Sequence, residues 1–511
     1  MIFHSILFRG TADAIQRETP EAPAFFGDLN LDQIIDAITA GKQEYNLKPF
    51  FYTFLPDIET IQYRQAILRD LEGEALFEPI QSFAAEMRAM RLHLAQANKL
   101  SYEYQKERWF LEAVAVYCGA IRRLAEDLNR VAIAADGWLA FRAYVADYAD
   151  SAVFRTLMAE TEKLKADLAT IQYCLLIKGN CIKVRRYEVE IDYSAAVEET
   201  FAKFRQGAVK DYRAKFPDYP DMNHVEAGVL DRVALLYPDI FAGLSDYCTK
   251  NGAYLDETIA VFDREVQFYL AYLEHIARFR QRGLPFCYPQ VSDTAKEVAV
   301  EDGFDLALAD KLTGQSAVIV GNDFYLKDPE RILVVSGPNQ GGKTTFARLF
   351  GQLHYLAGLG CLVPGRKARL FLCDRIFTHF EREEDLKNLR GKLQDDLVRI
   401  HDILEQATSD SIIIMNEIFT STTLKDALLL GTRIMEEIIR LDLLCVCVTF
   451  IDEWAALSEK TVSMVSTVVP ENPAQRTYKI IRRPADGVSY ALSIAAKYRL
   501  TYDCVKERIK S

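Results

Sequence analysis

The first half of the chain has the hydrophobic spacing of long amphipathic helices. Between Asp28 and Gly283, apolar residues recur at i, i+3, i+4 and i+7 among charged residues, and few prolines or glycines interrupt them. This spacing predicts long helices in LFEPIQSFAAEMRAMRLHLAQANKL, AVFRTLMAETEKLKADLATIQ and VFDREVQFYLAYLEHIARFRQ. The last of these segments stops before Gly283 and Pro285, two residues that end helices.

One segment inside this helical half has the alternation of a β-hairpin instead. CLLIKGNCIKVRRYEVEIDY, from Cys174 to Tyr193, places β-branched residues on both sides of the turn sequence Lys178-Gly179-Asn180. We therefore predict a hairpin at the far end of the helical half.

The pattern changes near Tyr288, where short apolar runs begin to alternate with helical segments. RILVVSG, ARLFLCDRIF, SIIIMNEIF and LLCVCVTF are typical of buried strands. Their alternation with helices predicts a mainly parallel sheet, so the predicted fold class is α + α/β. The predicted domains are a helical domain at residues 1–285, with an insertion at about 171–245, and an α/β domain at residues 286–511.

Composition narrows the class of protein. The formal net charge is -12, so any nucleic-acid contact must use a local basic surface. No apolar run approaches the roughly 20 residues of a membrane helix, and the N-terminus lacks the features of a signal peptide. The ten cysteines include no CxxC pair, which favours reduced thiols over a zinc site. We therefore expect a cytoplasmic location and no membrane association.

The segment GPNQGGKT, from Gly337 to Thr344, carries the clearest chemical signal. It matches G-x-x-x-x-G-K-[ST], follows an apolar strand and precedes a helix, which is the context of a phosphate-binding loop. Its glycines let backbone N–H groups face phosphate oxygens, and the helix N-terminus adds partial positive charge. Lys343 is expected to reach the β- and γ-phosphates, and Thr344 to bind Mg²⁺. The alternative is a glycine-rich turn that binds no ligand.

A second buried strand ends in a pair of polar residues. SIIIMNEIF predicts a strand that places Asn416 and Glu417 at the carboxyl edge of the sheet, beside the phosphates. Glu417 is the candidate general base, which would polarise the attacking water. The alternative is that Glu417 only neighbours a helix N-cap.

Several of these segments together resemble the MutS family. GPNQGGKTT is similar to its GPNxGGKS/T loop, and AGLGCLVPGRKARLFLCDRIFTHF is similar to its Gly-x-x-VP turn and DRIFT segment. MNEIFTSTT and the late segment DGVSYALSIAAKYRL, from Asp486 to Leu500, resemble further family motifs. In the helical half, LDQIIDAIT and DIETIQYRQAILRDLE resemble the family's core domain more loosely.

The resemblance implies a long-helix core/lever domain with a small clamp-like hairpin tip, followed by an ABC-type P-loop ATPase domain. It implies ATP and Mg²⁺ as cofactors, a homodimer through the ATPase domains, and double-stranded or structured DNA as a partner. Thr344 and Asn416 would bind the metal, and Ile319 would lie against the adenine. The implied nucleotide-binding residues of the loop are Gly337, Pro338, Asn339, Gln340, Gly341, Gly342, Lys343, Thr344 and Thr345.

Several residues depart from the family pattern. Asn416 replaces an aspartate, so this position brings no negative charge to the metal. Phe450 stands where the family has a histidine that senses the γ-phosphate. A phenyl ring cannot donate that hydrogen bond, so we expect Phe450 to pack. We expect the chain to start directly at the core without a mismatch-reading domain, and there is no Phe-x-Glu wedge motif near its start, so we do not expect direct mismatch detection.

The segment that would cross a dimer to the γ-phosphate also differs. EREEDLKNLRGKLQDDL contains no serine or threonine. Lys387, Arg390 or Lys392 is the candidate for a positive group acting in trans, and a solvated charged loop is the alternative. The turn after Glu417 keeps its hydroxyls, and the candidates for contact with the opposite subunit are Thr420, Ser421 and Thr422.

Basic residues are concentrated on and after the predicted hairpin. The candidates for contact with DNA phosphates are Lys178, Lys183, Arg185, Arg186, Lys203 and Arg205, followed by Lys210, Arg213 and Lys215. Acidic residues at Glu188, Glu190 and Asp192 dilute this charge, so a solvated face is the alternative.

These observations predict a MutS-like, ATP-dependent DNA-binding protein with weak ATPase activity. ATP binding and slow hydrolysis at a head-to-tail dimer would be coupled to lever movement around DNA. DNA mismatch repair and recombination control are the candidate pathways. One alternative is an ATP-switched protein that recognises branched DNA outside repair. The other is a nucleotide-switched interaction or scaffold protein with little DNA binding.

Overall fold

In the computed structural model the chain packs as two compact units. The first contains Met1–Phe3, Gly73–Ile133 and Leu139–Asp263, and the second contains His4–Glu72, Ala134–Trp138 and Arg264–Ser511. The structure describes residues 3–10, 18–188, 193–202, 221–313, 315, 318–381, 391–469, 471–484, 500, 502 and 505–506. The division of the sequence at residues 285 and 286 stays a prediction.

The described helices are long in the N-terminal part of the chain and shorter after it. In chain order they are α1 Leu31–Thr39, α2 Lys48–Tyr52, α3 Ile58–Leu71, α4 Glu74–Lys99, α5 Glu103–Arg130, α6 Asp136–Asp150, α7 Ala152–Ala169, α8 Tyr193–Ala202, α9 His224–Leu236, α10 Pro238–Lys250, α11 Glu257–Arg280, α12 Leu306–Leu312, α13 Lys343–Gly358, α14 Lys392–Gln406 and α15 Leu424–Leu441, with 3-10 helices at Gln43–Tyr45 and Asp452–Ala456. None of these helices combines the length and the apolar character needed to cross a membrane.

The described strands form one hairpin and three further sheets. In chain order they are β1 Tyr173–Lys178, β2 Cys181–Arg186, β3 Phe286–Cys287, β4 Gln290–Ser292, β5 Val298–Gly303, β6 Asn322–Leu326, β7 Ile332–Ser336, β8 Val363–Pro364, β9 Lys367–Phe371, β10 Ile376–Phe380, β11 Ile412–Asn416, β12 Leu444–Val448, β13 Thr461–Val469 and β14 Asn472–Arg482. The expected combination of a large helical part and a parallel sheet is therefore confirmed.

The first unit is built on the long helices α4 and α5, which pack along each other. On α5 the buried residues Leu111, Val114, Cys118 and Ile121 recur every three or four positions, which is the stripe that the sequence predicted. Caps define where other helices begin. The hydroxyl of Ser151, for example, accepts a hydrogen bond from the backbone N–H of Phe154 at the start of α7.

A two-stranded antiparallel hairpin lies where the alternating pattern predicted one. Strands β1 and β2 pair from Tyr173 with Arg186 to Lys178 with Cys181. Gly179 in the turn has a φ of 59°, in the left-handed region that glycine adopts at little cost. Val184 packs with apolar residues of α9, so the base of the hairpin is joined to the helices of its own unit.

The second unit contains a six-stranded sheet in the order β10-β11-β12-β7-β13-β14. Strands β10, β11, β12, β7 and β13 are parallel, and β14 runs antiparallel to β13 at the edge. All five residues of β7 and of β12 are buried, as expected for strands covered on both faces. A second sheet has the order β4-β9-β5-β6.

One predicted strand is two strands in the structure. The run ARLFLCDRIF divides into β9 and β10, which belong to different sheets. Asp374 lies between them and accepts hydrogen bonds from the hydroxyls of Thr408, at 2.7 Å, and Ser411, at 2.8 Å. Because both hydroxyls belong to the segment that precedes β11, these bonds hold the turn between β9 and β10 beside the start of that strand.

The segment from Ser5 to Leu7 is fixed in the second unit by buried polar contacts. The hydroxyl of Ser5 lies 2.8 and 2.9 Å from the two carboxylate oxygens of Glu265, and the backbone N–H of Ile6 donates to the same carboxylate at 2.8 Å. Burial raises the pKa of Glu265 to about 7, although these hydrogen bonds act in the opposite direction.

Candidate functional site

The loop from Gly337 to Gly342 joins the carboxyl end of β7 to the N-terminus of α13. Gly337 and Gly342 have φ values of 112° and 93°, which favour glycine. A Cβ on Gly337 would lie 2.9 Å from the backbone oxygen of Ser466, and a Cβ on Gly341 would clash with the Ser466 hydroxyl. That hydroxyl donates to the carbonyl of Gly341 at 2.7 Å. Strand β13 therefore holds the loop, a contribution that no motif indicated.

Lys343 is the first residue of α13, and its side chain turns back toward the loop. Its Nζ donates to the carbonyl oxygen of Gly337 at 3.1 Å and lies 3.3 Å from both the carbonyl of Pro338 and Oδ1 of Asn339. A carboxylate oxygen of Glu417 is 3.8 Å away, and only 4% of the lysine side chain is exposed. Burial lowers the pKa of Lys343, and the charge of Glu417 opposes that shift.

The two residues expected to bind the metal lie together. Thr344 follows Lys343 on α13, and its hydroxyl donates to Oδ1 of Asn416 at 2.9 Å. Asn416 is the last residue of β11, so its side chain lies at the carboxyl edge of the sheet, as predicted. Two side-chain oxygens are thereby brought together next to the loop.

Glu417 follows β11 directly and has an unusual backbone conformation. Its φ is 55° and that of Phe419 is 61°, although neither residue is glycine. The backbone N–H of Glu417 donates to the carbonyl of Val448 at 2.9 Å, which joins this turn to the end of β12. Such conformations cost energy and occur most often at functional sites.

A cavity of about 520 Å³ opens along the loop, a size suited to a small-molecule ligand. Its polar lining residues include those of the loop and of the first turn of α13, namely Asn339, Gln340, Gly342, Lys343, Thr344 and Thr345, together with Glu417. Its apolar and aromatic lining residues include Leu308, Leu312, Val318, Ile319, Phe346 and Tyr478. The structure thus brings Ile319 to the same cavity as the loop.

Tyr478 is a cavity residue that sequence reasoning missed. It lies on β14, its φ is 59°, and 53% of its surface is exposed. The side-chain amide of Asn322 donates to its carbonyl at 3.3 Å. Only the aromatic character of Tyr478 could have indicated it, because the turn of β14 toward the loop is a tertiary feature.

Phe450 follows β12, and its ring lies beside the ammonium group of Lys343. The centre of the ring is 4.3 Å from the Lys343 Nζ. The residue is 52% exposed, so its ring packs against an ammonium group and not within the core. The hydroxyl of the buried Thr449 accepts a hydrogen bond from the backbone N–H of Ile451 at 2.9 Å, which fixes the backbone on both sides of Phe450.

The residues expected to act across a dimer are partly engaged within the chain. Lys392 forms an ion pair with Glu381, and the hydroxyl of Thr420 donates to the same carboxylate at 3.2 Å. Ser421 and Thr422 lie in the turn before α15. Lys387, Arg390 and residues 486–499 of the late segment lie outside the described residues.

The hairpin separates the predicted DNA-contact residues into two sets. Because paired residues share a face, Lys178, Lys183 and Arg185 lie on one face and Arg186 lies on the other. Arg186 donates from Nε to the carbonyl of Leu236 at 3.1 Å, and its guanidinium lies 4.9 Å from the ring centre of Tyr237.

Arg186 therefore holds the hairpin against its own unit, and a DNA contact of this exposed residue stays a prediction. The remaining candidates after the hairpin fall outside the described residues. These are Lys203, Arg205, Lys210, Arg213 and Lys215.

The fold and the cavity define an α/β protein with a ligand-sized cavity at the carboxyl ends of parallel strands. Comparison with known proteins supports the resemblance seen in the motifs. Residues 333–509 match the model of MutS domain V. This match confirms the resemblance to the MutS family that the motifs indicated, and it covers nearly all of the six-stranded sheet.

Curated relatives agree with this assignment. Over 259 residues, 50% of this chain and 29% of the relative, the sequence is 27% identical to the DNA mismatch repair protein MutS of Acetivibrio thermocellus. It is 30% identical to that of Lawsonia intracellularis over 36% of this chain and 21% of the relative. The sequence is 35% identical to the DNA mismatch repair protein MutS of Oleidesulfovibrio alaskensis, over 24% of this chain and 14% of the relative. The matched segments thus span less than a third of each relative.

Proposed function

We propose that this chain is a MutS-like, ATP-dependent DNA-binding protein, with an ABC-type ATPase site at the carboxyl edge of the second unit's sheet. One observation carries the proposal. The loop from Gly337 to Gly342, Lys343, Thr344, Asn416 and Glu417 come together from three separate elements beside one cavity of ligand size. Open α/β sheets bind their ligands at this edge.

The phosphates of ATP would bind beside the loop residues that line the cavity. Backbone N–H groups of the glycine-rich loop and of the first turn of α13 would donate to phosphate oxygens. The ammonium group of Lys343 is held beside the loop by the carbonyls of Gly337 and Pro338. Because its ammonium is buried, its attraction for a phosphate is screened little by water.

The side-chain oxygens of Thr344 and Asn416 suit a Mg²⁺ ion, which prefers oxygen ligands and often binds proteins through one or two side chains together with phosphates. Their hydrogen bond of 2.9 Å supports this role, because it brings the two side-chain oxygens together. When bound, the ion would neutralise charge on the β- and γ-phosphates. Asn416 is neutral, so it would hold the ion less strongly than a carboxylate.

Glu417 would orient and polarise the water that attacks the terminal phosphate. Its carboxylate lines the cavity and lies 3.8 Å from the ammonium of Lys343, which places it next to the phosphate-binding group. Compared with the MutS family pattern, Asn416 replaces a charged aspartate at the metal. Phe450 replaces a histidine that can donate a hydrogen bond to the γ-phosphate. We therefore expect hydrolysis to be slow.

The adenine would lie against apolar and aromatic residues that line the cavity. Ile319 and Val318 offer aliphatic surface, and the exposed ring of Tyr478 offers a face on which a base can stack. A stacking contact of this kind supports ATP binding without a hydrogen bond to the base.

DNA would be contacted by the basic face of the hairpin, formed by Lys178, Lys183 and Arg185. Contacts from such residues to phosphates give affinity with little sequence preference. The curated relatives are named as DNA mismatch repair proteins, which supports DNA as a partner and mismatch repair as a candidate pathway. Head-to-tail dimerisation of the ATPase domains would couple ATP binding to movement of α4 and α5.

Two binding measurements test this function. Equilibrium titration with ATP and Mg²⁺ should show binding by the wild-type chain and none by Lys343→Ala, while the surface variant Lys163→Glu should bind normally. Titration with perfect, mismatched and branched duplexes at several salt concentrations should show DNA binding that weakens as salt rises. A chain that binds neither ATP nor DNA would contradict the proposal.

A nucleotide-switched interaction protein is the second candidate, and the opposite face of the hairpin favours it. Ile177 is 72% exposed and Leu175 is also exposed, which is unusual for a surface that meets only water or phosphates. ATP binding together with no measurable affinity for any DNA would support this candidate over the first.

A further inference from the structure

The ring of Phe450 and the ammonium of Lys343 form a contact that the proposed ATP site does not yet use. The ring centre lies 4.3 Å from Nζ, within the range of a cation–π interaction. About half of Phe450 is exposed, while Lys343 is almost completely buried. An exposed ring is therefore in contact with a buried ammonium group.

The contact leaves the ligand cavity open. Lys343 and Glu417 line the cavity, but Phe450 is not among its lining residues. A nucleotide could therefore reach the ammonium without displacing the ring. Because Thr449 and Ile451 are buried on either side of Phe450, the backbone that carries the ring is fixed.

We propose that Phe450 is a positioning residue for Lys343, an inference that rests on the proposed ATP site. The π face of a phenyl ring is electron-rich, so it attracts the charged form of the lysine and fixes its direction. The ring acts on the lysine, and the lysine acts on the phosphate. A histidine at this position would instead donate a hydrogen bond to the phosphate directly.

Fluorinated phenylalanines at position 450 test this role. Stepwise fluorination keeps the shape of the ring and removes electron density from its face. The dissociation constant of ATP should rise with each fluorine and reach about three- to tenfold above the wild-type value. Phe450→Leu should match the fully fluorinated ring, and Phe450→Trp should restore or exceed wild-type affinity.

The rescue by Phe450→Trp is a second readout that a purely structural role would not give. If the ring only filled space, the larger indole would restore affinity no better than leucine does. An indole face attracts an ammonium group more strongly than a phenyl face, so the positioning role predicts the rescue.

The control is the same fluorinated series at Phe201, an exposed phenylalanine of the first unit, which should leave ATP affinity unchanged. If fluorination at position 450 leaves ATP affinity unchanged while Lys343→Ala abolishes ATP binding, the positioning role of Phe450 is contradicted and the proposed ATP site is still supported. If the wild-type chain binds no ATP, both are overturned.

Discussion

The hydroxyl of Thr344 donates a hydrogen bond to the side-chain oxygen of Asn416, with 2.9 Å between the two oxygens. This bond joins the first turn of α13 to the end of β11, so two segments 72 residues apart meet at one point of the sheet edge. Because Thr344 is fixed in this way, the residue at position 416 decides how much negative charge faces a bound cation.

We predict that Asn416→Asp lowers the Mg²⁺ concentration that ATP hydrolysis requires. The added carboxylate supplies a charged oxygen ligand, and the Mg²⁺ concentration for half-maximal ATP hydrolysis should fall by about tenfold. Asn416→Ala removes the oxygen and should have the opposite effect. Hydrolysis measured across a Mg²⁺ series at fixed ATP checks both variants. An Asn416→Asp variant that needs as much Mg²⁺ as the wild type would contradict the metal assignment.

We predict that Glu265 makes the second unit less stable as pH rises from about 4.5 to about 7. Its pKa is raised by burial from 4.5 to about 7 in the folded state, so the folded chain keeps a proton that the unfolded chain loses. Stability must fall over this window, by on the order of 2–3 kcal/mol. A glutamine side chain stays neutral and can still accept hydrogen bonds from Ser5 and Ile6. The stability of Glu265→Gln should therefore lack this fall with pH.

The readout is the difference between the urea midpoints of the wild type and Glu265→Gln at pH 5 to 8. The difference is needed because other groups also change stability with pH. Burial lowers the pKa of His354 to about 4, and this shift makes the folded state more stable as pH rises. The same histidine is present in both chains, so its contribution cancels in the difference. The urea midpoint of Glu265→Gln minus that of the wild type should increase with pH and level off above about pH 7. A constant difference across the range would show that Glu265 does not hold a proton in the folded state.

We predict that Lys178→Glu combined with Lys183→Glu weakens DNA binding without changing ATP binding. Both residues lie on the basic face of the hairpin, and losing two phosphate contacts should reduce the salt slope of binding by about 2. Lys163→Glu, on α7 of the same unit, is the matched control. Equal affinities and slopes for the double variant and this control would remove the hairpin from the DNA surface. Arg186 is unsuitable for this test because it holds the hairpin to α9 and Tyr237.

Local sequence patterns were sufficient for many of the elements and for the first residues of the site, although ARLFLCDRIF was predicted as one strand and forms both β9 and β10. Helical spacing predicted α4, α7 and α11, and alternation predicted the hairpin. The strand–loop–helix context also placed Lys343 and Thr344 beside Asn416 and Glu417. These features depend on neighbours along the chain, or on the rule that carboxyl ends of parallel strands share one edge.

The features that were missed depend on contacts between distant segments. Ser466 supports the loop because β13 lies next to β7, and Tyr478 reaches the cavity because β14 turns back across that edge. Arg185 and Arg186 look equivalent in sequence, but strand alternation places them on opposite faces. Phe450 was expected only to pack, and its partner proved to be the ammonium of Lys343.

Steady-state ATP hydrolysis by Glu417→Gln, measured with equilibrium ATP binding on the same sample, tests the central claim most directly. The glutamine keeps the shape of the side chain but cannot accept a proton from water. Binding should stay within about threefold of the wild type and hydrolysis should fall at least about a hundredfold. Glu453→Gln, an exposed residue after β12, should change neither value. A Glu417→Gln chain that hydrolyses ATP at the wild-type rate would contradict the account.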